Sequence, residues 1–240
     1  MKIQADLHTH TIASTHAYST IIENAKEASK NGLKAIAMTD HAPMMEDAPH
    51  IWHFENLGIL PRTIDDVIII RGAEVSIIDY NGSVDLYDGL LSRLEWIVAS
   101  IHGPCYTSGS VEENTRAYMK ACENPFIDVF GHPTTNEFPW DYEKGLKAIK
   151  EYDKIIEINE NSIRIRKGAY ENTVEILRLC KSMEIPVVVD TDAHFCQQIG
   201  VTPVSEKLIT EVDFPKKLIL NLEWENIKER ILKKHPDALE

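Results

Sequence analysis

The stretch Ile3-Gln4-Ala5-Asp6-Leu7-His8-Thr9-His10 begins with apolar residues at every second position and ends in two histidines separated by one residue. Apolar and β-branched residues favour strands, so this run predicts a β-strand over Ile3–Leu7. Alternate residues of a strand point to the same side, so His8 and His10 can grip one ion, with Asp6 on the same face behind them. The stretch therefore predicts a metal-binding strand end.

Further apolar runs of the same kind follow, and helical patterns separate most of them. Strands that alternate with helices predict a parallel sheet, and continuous apolar strands indicate burial on both faces. A closed or nearly closed barrel of about seven βα units fits the length, with an open doubly wound sheet as the alternative. The predicted strands are Ile3–Leu7, Lys34–Met38, Val67–Arg71, Ile97–Ser100, Ile127–Phe130, Ile155–Ile158 and Pro186–Val189; the helices are Thr20–Asn31, Val111–Glu123, Asp141–Tyr152 and Ala169–Met183; and a closing element (Leu218–Leu222) and a charged C-terminal helix follow.

Composition narrows the class of protein. The chain has 240 residues, of which 43% are hydrophobic and 26% charged, as in ordinary soluble globular proteins. The net charge of −13 argues against general binding to nucleic acid or anionic membranes. No apolar run approaches the roughly 18 residues that a membrane span needs. The chain begins without a signal-peptide pattern and its four cysteines are widely spaced, so we expect one cytoplasmic domain over residues 1–240.

Histidines or carboxylates follow six of the seven predicted strands. The carboxyl ends of parallel strands meet at one face, which holds the active site in such folds. A lone histidine at a strand end is more often an ordinary core or loop residue, but six coincident strand ends do not fit that interpretation. Imidazole and carboxylate groups suit zinc, manganese or iron. One divalent ion needs only about four to six ligands, and the sequence offers more candidates than that, which indicates two or three ions. The motifs are DLHTH at 6–10, TDH at 39–41, GAE at 72–74, SIHG at 100–103, GHP at 131–133 and DTDAH at 190–194.

This order of motifs resembles the PHP (polymerase and histidinol phosphatase) family, and within it the stand-alone bacterial phosphatases. The resemblance extends from Asp6 to His194. It implies an α/β fold, a distorted (β/α)7 TIM-like barrel, with a di- or trinuclear metal site at the C-terminal ends of the strands that hydrolyses phosphoesters. It also implies a first ion held by His8, His10, Glu74 and Asp192, a second ion bridged by Glu74 and held by His102 and His132, and a third ion held by His16, His41 and His194.

The charge of this ligand set agrees with phosphate chemistry. Seven neutral imidazoles and two carboxylates carry only two negative charges, so three divalent ions leave the site positive and suited to a phosphate group. A hydroxide shared by two metals would be the nucleophile, because metal binding lowers the pKa of water from about 15.7 to about 7. We expect three divalent ions per chain, zinc before manganese or iron, and we expect catalysis to depend on Glu74, Asp192 and His194.

Two aspartates are predicted to support the ligands from behind. Asp6 is expected to orient a ligand imidazole through its second nitrogen, with a hydrogen bond to backbone as the alternative. Asp190 has the same spacing relative to Asp192 and is assigned the same supporting role.

Three other residues are candidates for substrate binding. Arg166 matches an anion-binding arginine of the family, and it and Lys167 are expected to bind the substrate phosphate, with a solvated basic turn as the alternative. His53 lies in the long loop at 42–61, which we interpret either as a lid over the substrate or as a small satellite core.

Two other functions stay open on these residues. An amidohydrolase-like C–N hydrolase also begins with HxH on its first strand, but it usually adds a central lysine that we do not find. The second alternative is a non-catalytic metal-binding partner subunit. A structural zinc site needs only four ligands, which is fewer than this sequence offers. We expect a small-molecule phosphorylated substrate, no stable nucleic-acid binding and no membrane association, and a homo-oligomer is left open.

Overall fold

A computed structural model describes residues 1–239 of the chain, in which strands and helices alternate. The strands are β1 (Ala5–Thr9), β2 (Ala35–Met38), β3 (Thr63–Ile64), β4 (Val67–Ser76), β5 (Trp96–Ser100), β6 (Val129–Phe130), β7 (Ile155–Asn159) and β8 (Val187–Asp190). The helices are α1 (Ile21–Lys30), α2 (Trp52–Glu55), α3 (Asp88–Leu91), α4 (Val111–Cys122), α5 (Tyr142–Glu151), α6 (Glu160–Ile165), α7 (Ala169–Met183), α8 (Pro203–Val212) and α9 (Trp224–Lys234). Short 3-10 turns lie at Leu57–Ile59, Cys196–Gln198, Lys216–Leu218 and Leu220–Leu222.

The sheet has the order β1-β2-β4-β5-β6-β7-β8, and every neighbouring pair along this path is parallel. The short strand β3 adds an antiparallel hairpin to the start of β4. The seven parallel strands correspond to the seven predicted ones, but β4 continues to Ser76, beyond the predicted end at Arg71. This extension places Glu74 inside the strand, paired in register with Val98 of β5.

Side chains join the first and last strands of this path. A bridge links Thr9 to Ala193 beyond the end of β8. Below it, Asn221 donates to the carbonyls of Ala5 (2.9 Å) and Val189 (2.7 Å) and accepts from the Val189 amide (3.0 Å). Asp190 accepts a hydrogen bond from the Leu7 amide at 2.8 Å. The sheet is thus nearly closed into a barrel, as predicted, and the open doubly wound alternative is wrong.

The four predicted helices form within one residue of their expected bounds, and side chains cap the first turns of three of them, α1, α4 and α5. Thr20 and Ser110 each accept from the backbone amide three residues on, and a glutamate at that position bonds back to the cap. Asp141 caps α5 in the same way through the Lys144 amide. Within residues 1–239, no helix combines the length and apolar character that a membrane crossing requires.

An apolar layer fills the barrel below the strand ends, and α9 covers its lower end. The next inward-facing positions along β4 and β7 are occupied by polar residues. Glu74 lies four residues after Ile70, and Glu157 lies two residues after Ile155. A buried polar layer therefore rests on a solid apolar floor. The floor consists of Ala5, Leu7, Ala35, Ala37, Ile70, Trp96, Val98, Val129, Ile155, Val188, Trp224, Ile227 and Ile231.

Candidate metal centre

The nine side chains predicted as metal ligands come together at the carboxyl ends of the strands. Seven of them are in groups whose potential ligand atoms lie within 4.8 Å of one another. The other two join by direct contact, since His132 Nε2 lies 2.9 Å from Glu74 and Asp192 Oδ1 lies 3.1 Å from His10 Nε2. All are buried except His16, which is exposed, and His194, which is half-buried. The groups are His10, His41 and His194; His8, His10 and Glu74; His41, Glu74 and His102; and His16, His41 and Asp47.

Glu74 lies at the middle of this cluster and is fully buried. Ser100 holds its Oε1 by a hydrogen bond of 2.6 Å. Each carboxylate oxygen faces a different set of imidazoles, so the geometry is that of a bridge between two positions. Oε1 faces His102 Nε2 (3.2 Å) and His132 Nε2 (2.9 Å), while Oε2 faces His41 Nδ1 (2.8 Å), His8 Nε2 (3.3 Å) and His10 Nε2 (3.5 Å).

Asp192 and His194 follow β8 and face the same histidines from the other side. Asp192 Oδ1 lies 3.1 Å from His10 Nε2 and 3.6 Å from His8 Nε2. Asp192 and His132 both have positive φ, 54° and 32°. This backbone conformation is unfavourable for residues other than glycine, and such strain concentrates at functional sites, where the surrounding contacts hold it. The loops after β6 and β8 are therefore bent to aim these two side chains inward.

The outer part of the cluster is built from loops. The His16 ring lies 4.3 Å from the His194 ring and 5.3 Å from the His41 ring, measured between centroids. Asp47, which the sequence analysis did not single out, contacts His16 Nδ1 through its carboxylate. Its position in a loop between two predicted elements gave no local pattern that would have revealed it.

The donor atoms in this cluster fit a bound metal. Six buried polar atoms of the predicted ligands have no hydrogen-bond partner among residues 1–239, although such atoms are normally paired. They point toward one another, so positive ions between them would remove the penalty of burial. A metal therefore suits these residues better than hydrogen bonding does. The atoms are His8 Nε2, His10 Nε2, His41 Nδ1, Glu74 Oε2, His102 Nε2 and His194 Nε2.

The electrostatics of the cluster agree with this interpretation. Burial alone would raise the pKa of Glu74, but the His8 and His102 imidazoles hold it well below its ordinary value. Burial lowers the pKa of His10 to about 3, and burial together with the charge of Arg166 lowers the pKa of His132 to about 4. An ionised carboxylate and neutral imidazoles are the forms that bind metals. His8 and His41 differ from His10 and His132, because the neighbouring carboxylates outweigh burial and raise the pKa of both imidazoles.

Glu157 is a candidate site residue that was not predicted from the sequence. It is fully buried in β7, 2.7 Å from His8 Nδ1, and it accepts the His132 amide at 2.6 Å. Asn159 donates to the same carboxylate at 2.9 Å. Because His8 Nδ1 donates to Glu157, its Nε2 is left free to face Glu74. A glutamate inside an otherwise apolar strand was the signal in the sequence.

Asp6 makes hydrogen bonds to the backbone, which was the alternative to its orienting a ligand imidazole. Its carboxylate accepts from the Thr191 amide (3.1 Å), the Thr191 hydroxyl (2.6 Å) and the Gly200 amide (2.9 Å). The β1–β2 register shifts between Asp6 and Thr9, which breaks the alternation that placed Asp6 on the His8 face. Burial raises the pKa of Asp6 to about 6. Asp6 therefore supports the loop after β8 rather than an imidazole.

The described hydrogen bonds of Asp190 also go to groups other than imidazoles. Its Oδ1 accepts from the Leu7 amide at 2.8 Å and from Asn221 Nδ2 at 3.1 Å. Burial, followed by the charge of Glu157, raises its pKa well above the ordinary value. The described contacts of Asp190 join the first and last strands of the barrel.

The three predicted substrate-binding residues differ in their distance from the cluster. The guanidinium of half-buried Arg166 lies beside His132, with Nη1 2.9 Å from His132 Nδ1. Lys167 is exposed beside it at the mouth of the barrel. His53 lies in α2, with Nε2 3.3 Å from Asp40 Oδ2, and so borders the cluster through a residue outside the predicted ligand set.

The fold and the cluster define a class of protein: a parallel α/β barrel with potential metal ligands at the carboxyl ends of its strands, where such barrels place their active sites. The PHP domain model matches residues 6–165 of the chain. A probable phosphatase from Clostridium novyi (strain NT) is 42% identical over 222 residues, which cover 92% of this chain and 91% of that protein. A probable phosphatase from Thermoanaerobacter sp. (strain X514) is 44% identical over 236 residues, covering 98% of this chain and 96% of that protein.

The chain belongs to the PHP family. Its fold is similar to that of histidinol phosphate phosphatase from Lactococcus lactis, solved with zinc, L-histidinol and phosphate. The TM-score is 0.61 at 18% identity, covering 88% of this chain and 94% of that one. The prediction of a phosphatase is confirmed: the chain is a phosphatase of this family.

Proposed function

We propose that this phosphatase hydrolyses the phosphate ester of a small molecule at a centre of three divalent metal ions. The observation that carries the proposal is Glu74, whose two carboxylate oxygens face separate sets of imidazoles. A carboxylate in this position suits the separation of about 3.5–4 Å found in two-metal phosphatases. We expect zinc, with manganese or iron as alternatives, because imidazole and carboxylate accept all three.

The proposed ligand sets follow the grouping of the side chains. When bound, the ions supply a water of lowered pKa as nucleophile and neutralise the charge on the phosphoryl oxygens. Catalysis depends on Glu74, Asp192 and His194 because these residues place the ions. His8, His10, Glu74 and Asp192 hold the first ion; Glu74, His102 and His132 the second; and His16, His41 and His194 the third.

Arg166 is the residue proposed to bind the substrate phosphate. An imidazole that binds a metal through one nitrogen carries its proton on the other, and it then cannot accept a hydrogen bond there. Metal binding by His132 Nε2 would therefore release the guanidinium from His132 Nδ1, 2.9 Å away. A freed guanidinium at the edge of the metal site can bind two phosphate oxygens at once. Lys167 adds a second positive charge on the same side.

The organic part of the substrate is proposed to lie toward His53. A cavity of about 550 Å³ opens beside this residue, and its lining is mostly apolar, including Ile12, Trp52 and Leu57. Asp40 holds His53 at the wall of this cavity. A leaving group with an apolar or aromatic portion fits there, and this is our reason to assign His53 to substrate binding. We expect no stable complex with nucleic acid, because the net charge is −13.

The experiment that tests the function is phosphate release from a panel of phosphomonoesters and phosphodiesters. The panel includes histidinol phosphate, nucleotides and an aryl phosphate. Protein is assayed as purified, after chelation, and after zinc or manganese is added back. We expect metal-dependent release from monoesters. No release from any ester by protein that holds three ions would refute the proposed reaction.

A further inference from the structure

We propose that Asp47 is a tenth ligand of the metal centre and binds the outer ion together with His16, His41 and His194. The proposal rests on the three-ion centre proposed above and adds a residue outside the nine predicted ligands. It concerns the part of the centre that is built from loops rather than strand ends.

The first support is the position of the carboxylate. Asp47 Oδ2 contacts His16 Nδ1, and the potential ligand atoms of Asp47, His16 and His41 all lie within 4.8 Å of one another. Glu74 and Asp192 contact their neighbouring imidazoles in a similar way. Asp47 therefore has the same relation to the outer histidines that these two carboxylates have to the inner ones.

The second support is the backbone. The Thr15 amide donates to the Asp47 carbonyl at 3.0 Å, which joins the loop after β2 to the loop that carries His16. The Asp47 side chain is 20% exposed, whereas the His16 side chain is 52% exposed. Both main chain and side chain thus hold Asp47 against the His16 loop, on the inner side of an exposed imidazole.

The third support is charge and coordination number. The three residues assigned to the outer ion are imidazoles, which bind a metal in their uncharged form, whereas Glu74 is assigned to the two inner ions. A divalent zinc ion prefers about four ligands in a tetrahedral arrangement and accepts carboxylate oxygen among them. Asp47 supplies a fourth ligand and a negative charge. The outer ion would then tie together the loops after β1, β2 and β8.

The test measures bound metal rather than activity. Wild type, D47N and D47A are dialysed against a weak chelator, and their metal content per chain is measured by elemental analysis. E46Q is the matched control, because Glu46 is an exposed carboxylate next to Asp47 in the same loop. We expect three ions in wild type and E46Q, and two in both Asp47 variants. Asparagine keeps an acceptor for His16 but loses the charge, so D47N separates ligation from positioning of the imidazole.

The other outcomes are equally decisive. D47N with three ions would overturn the ligand assignment, and so would a wild type that binds fewer than three. Phosphate release is measured on the same samples, so the two proposals can fail separately. Active wild type with three ions in D47N would reject the role of Asp47 and keep the proposed reaction. Loss of one ion in D47N without any phosphate release by wild type would support Asp47 and reject the reaction.

Discussion

Replacing Glu157 with glutamine should weaken metal binding without unfolding the barrel. The carboxylate offers one oxygen to His8 Nδ1 (2.7 Å) and the other to the His132 amide (2.6 Å). Glutamine has a single carbonyl oxygen and can serve only one of these donors. The backbone amide of His132 cannot give up its proton, so the carbonyl will stay there and the amide NH2 will face His8.

The size of the effect follows from the proton on His8. When the glutamine NH2 group donates to His8 Nδ1, the His8 imidazole must carry its proton on Nε2. This nitrogen lies 3.3 Å from Glu74 and is the one proposed to bind the first ion, so the proton would block metal binding. Loss of such an outer partner typically lowers metal affinity about 10–100-fold. This range corresponds to about 1.4–2.8 kcal/mol of binding free energy. We expect E157Q to fall within it.

The assay is a competition titration of zinc between the protein and a chromophoric chelator, with circular dichroism as the check on folding. E160Q is the matched control, because Glu160 is also a buried carboxylate, but it accepts from the amides of Val204 (3.1 Å) and Ser205 (2.8 Å). We expect E160Q to retain wild-type metal affinity. Folded E157Q with wild-type affinity would refute the argument from the His8 proton.

Three further outcomes are expected. Glu74→Ala should lose bound metal and phosphatase activity while circular dichroism still reports a folded barrel, and an active variant would contradict the bridging role. Asn221→Ala should lower the free energy of unfolding in urea by about 1–3 kcal/mol or more, because it leaves the buried Val189 amide unpaired, and Asn226→Ala should change it little. Arg166→Ala should reduce kcat/KM about 10–100-fold, as expected for the loss of a charge-assisted contact of about 1.5–3 kcal/mol. Replacing exposed Arg164 with alanine should leave kcat/KM nearly unchanged. Equal effects of the two substitutions on kcat/KM would refute the proposal that Arg166 binds the substrate phosphate.

The sequence predicted the barrel and the meeting of the strand-end side chains because both depend on local patterns, whereas His16 joined the predicted ligands only through the resemblance to the PHP family. Continuous apolar runs mark strands that are buried on both faces, and parallel strands bring their carboxyl ends to one face. The spacing of His8 and His10 could therefore be interpreted without any knowledge of tertiary contacts. Capping residues such as Thr20 and Ser110 likewise marked where helices begin.

What could not be predicted depends on contacts between distant segments. The contacts of Asp6 differ from the expected ones because the register between β1 and β2 shifts after it, and no pattern in β1 reveals this shift. Asp47 reaches His16 only because two loops meet. Glu157 differs from these two, since a lone carboxylate in an apolar strand is visible in the sequence but was not interpreted as a partner for an imidazole.

The closure of the barrel by its first and last strands has a consequence for biosynthesis. His8 and His10 leave the ribosome before Asp192, His194 and Asn221 do, because they precede them by more than 180 residues. A nascent chain that ends before Asn221 has its early histidines but lacks the residue that holds Ala5 to Val189. The complete metal centre, together with the contacts that close the barrel around it, can therefore form only after the segment up to Asn221 has been synthesised.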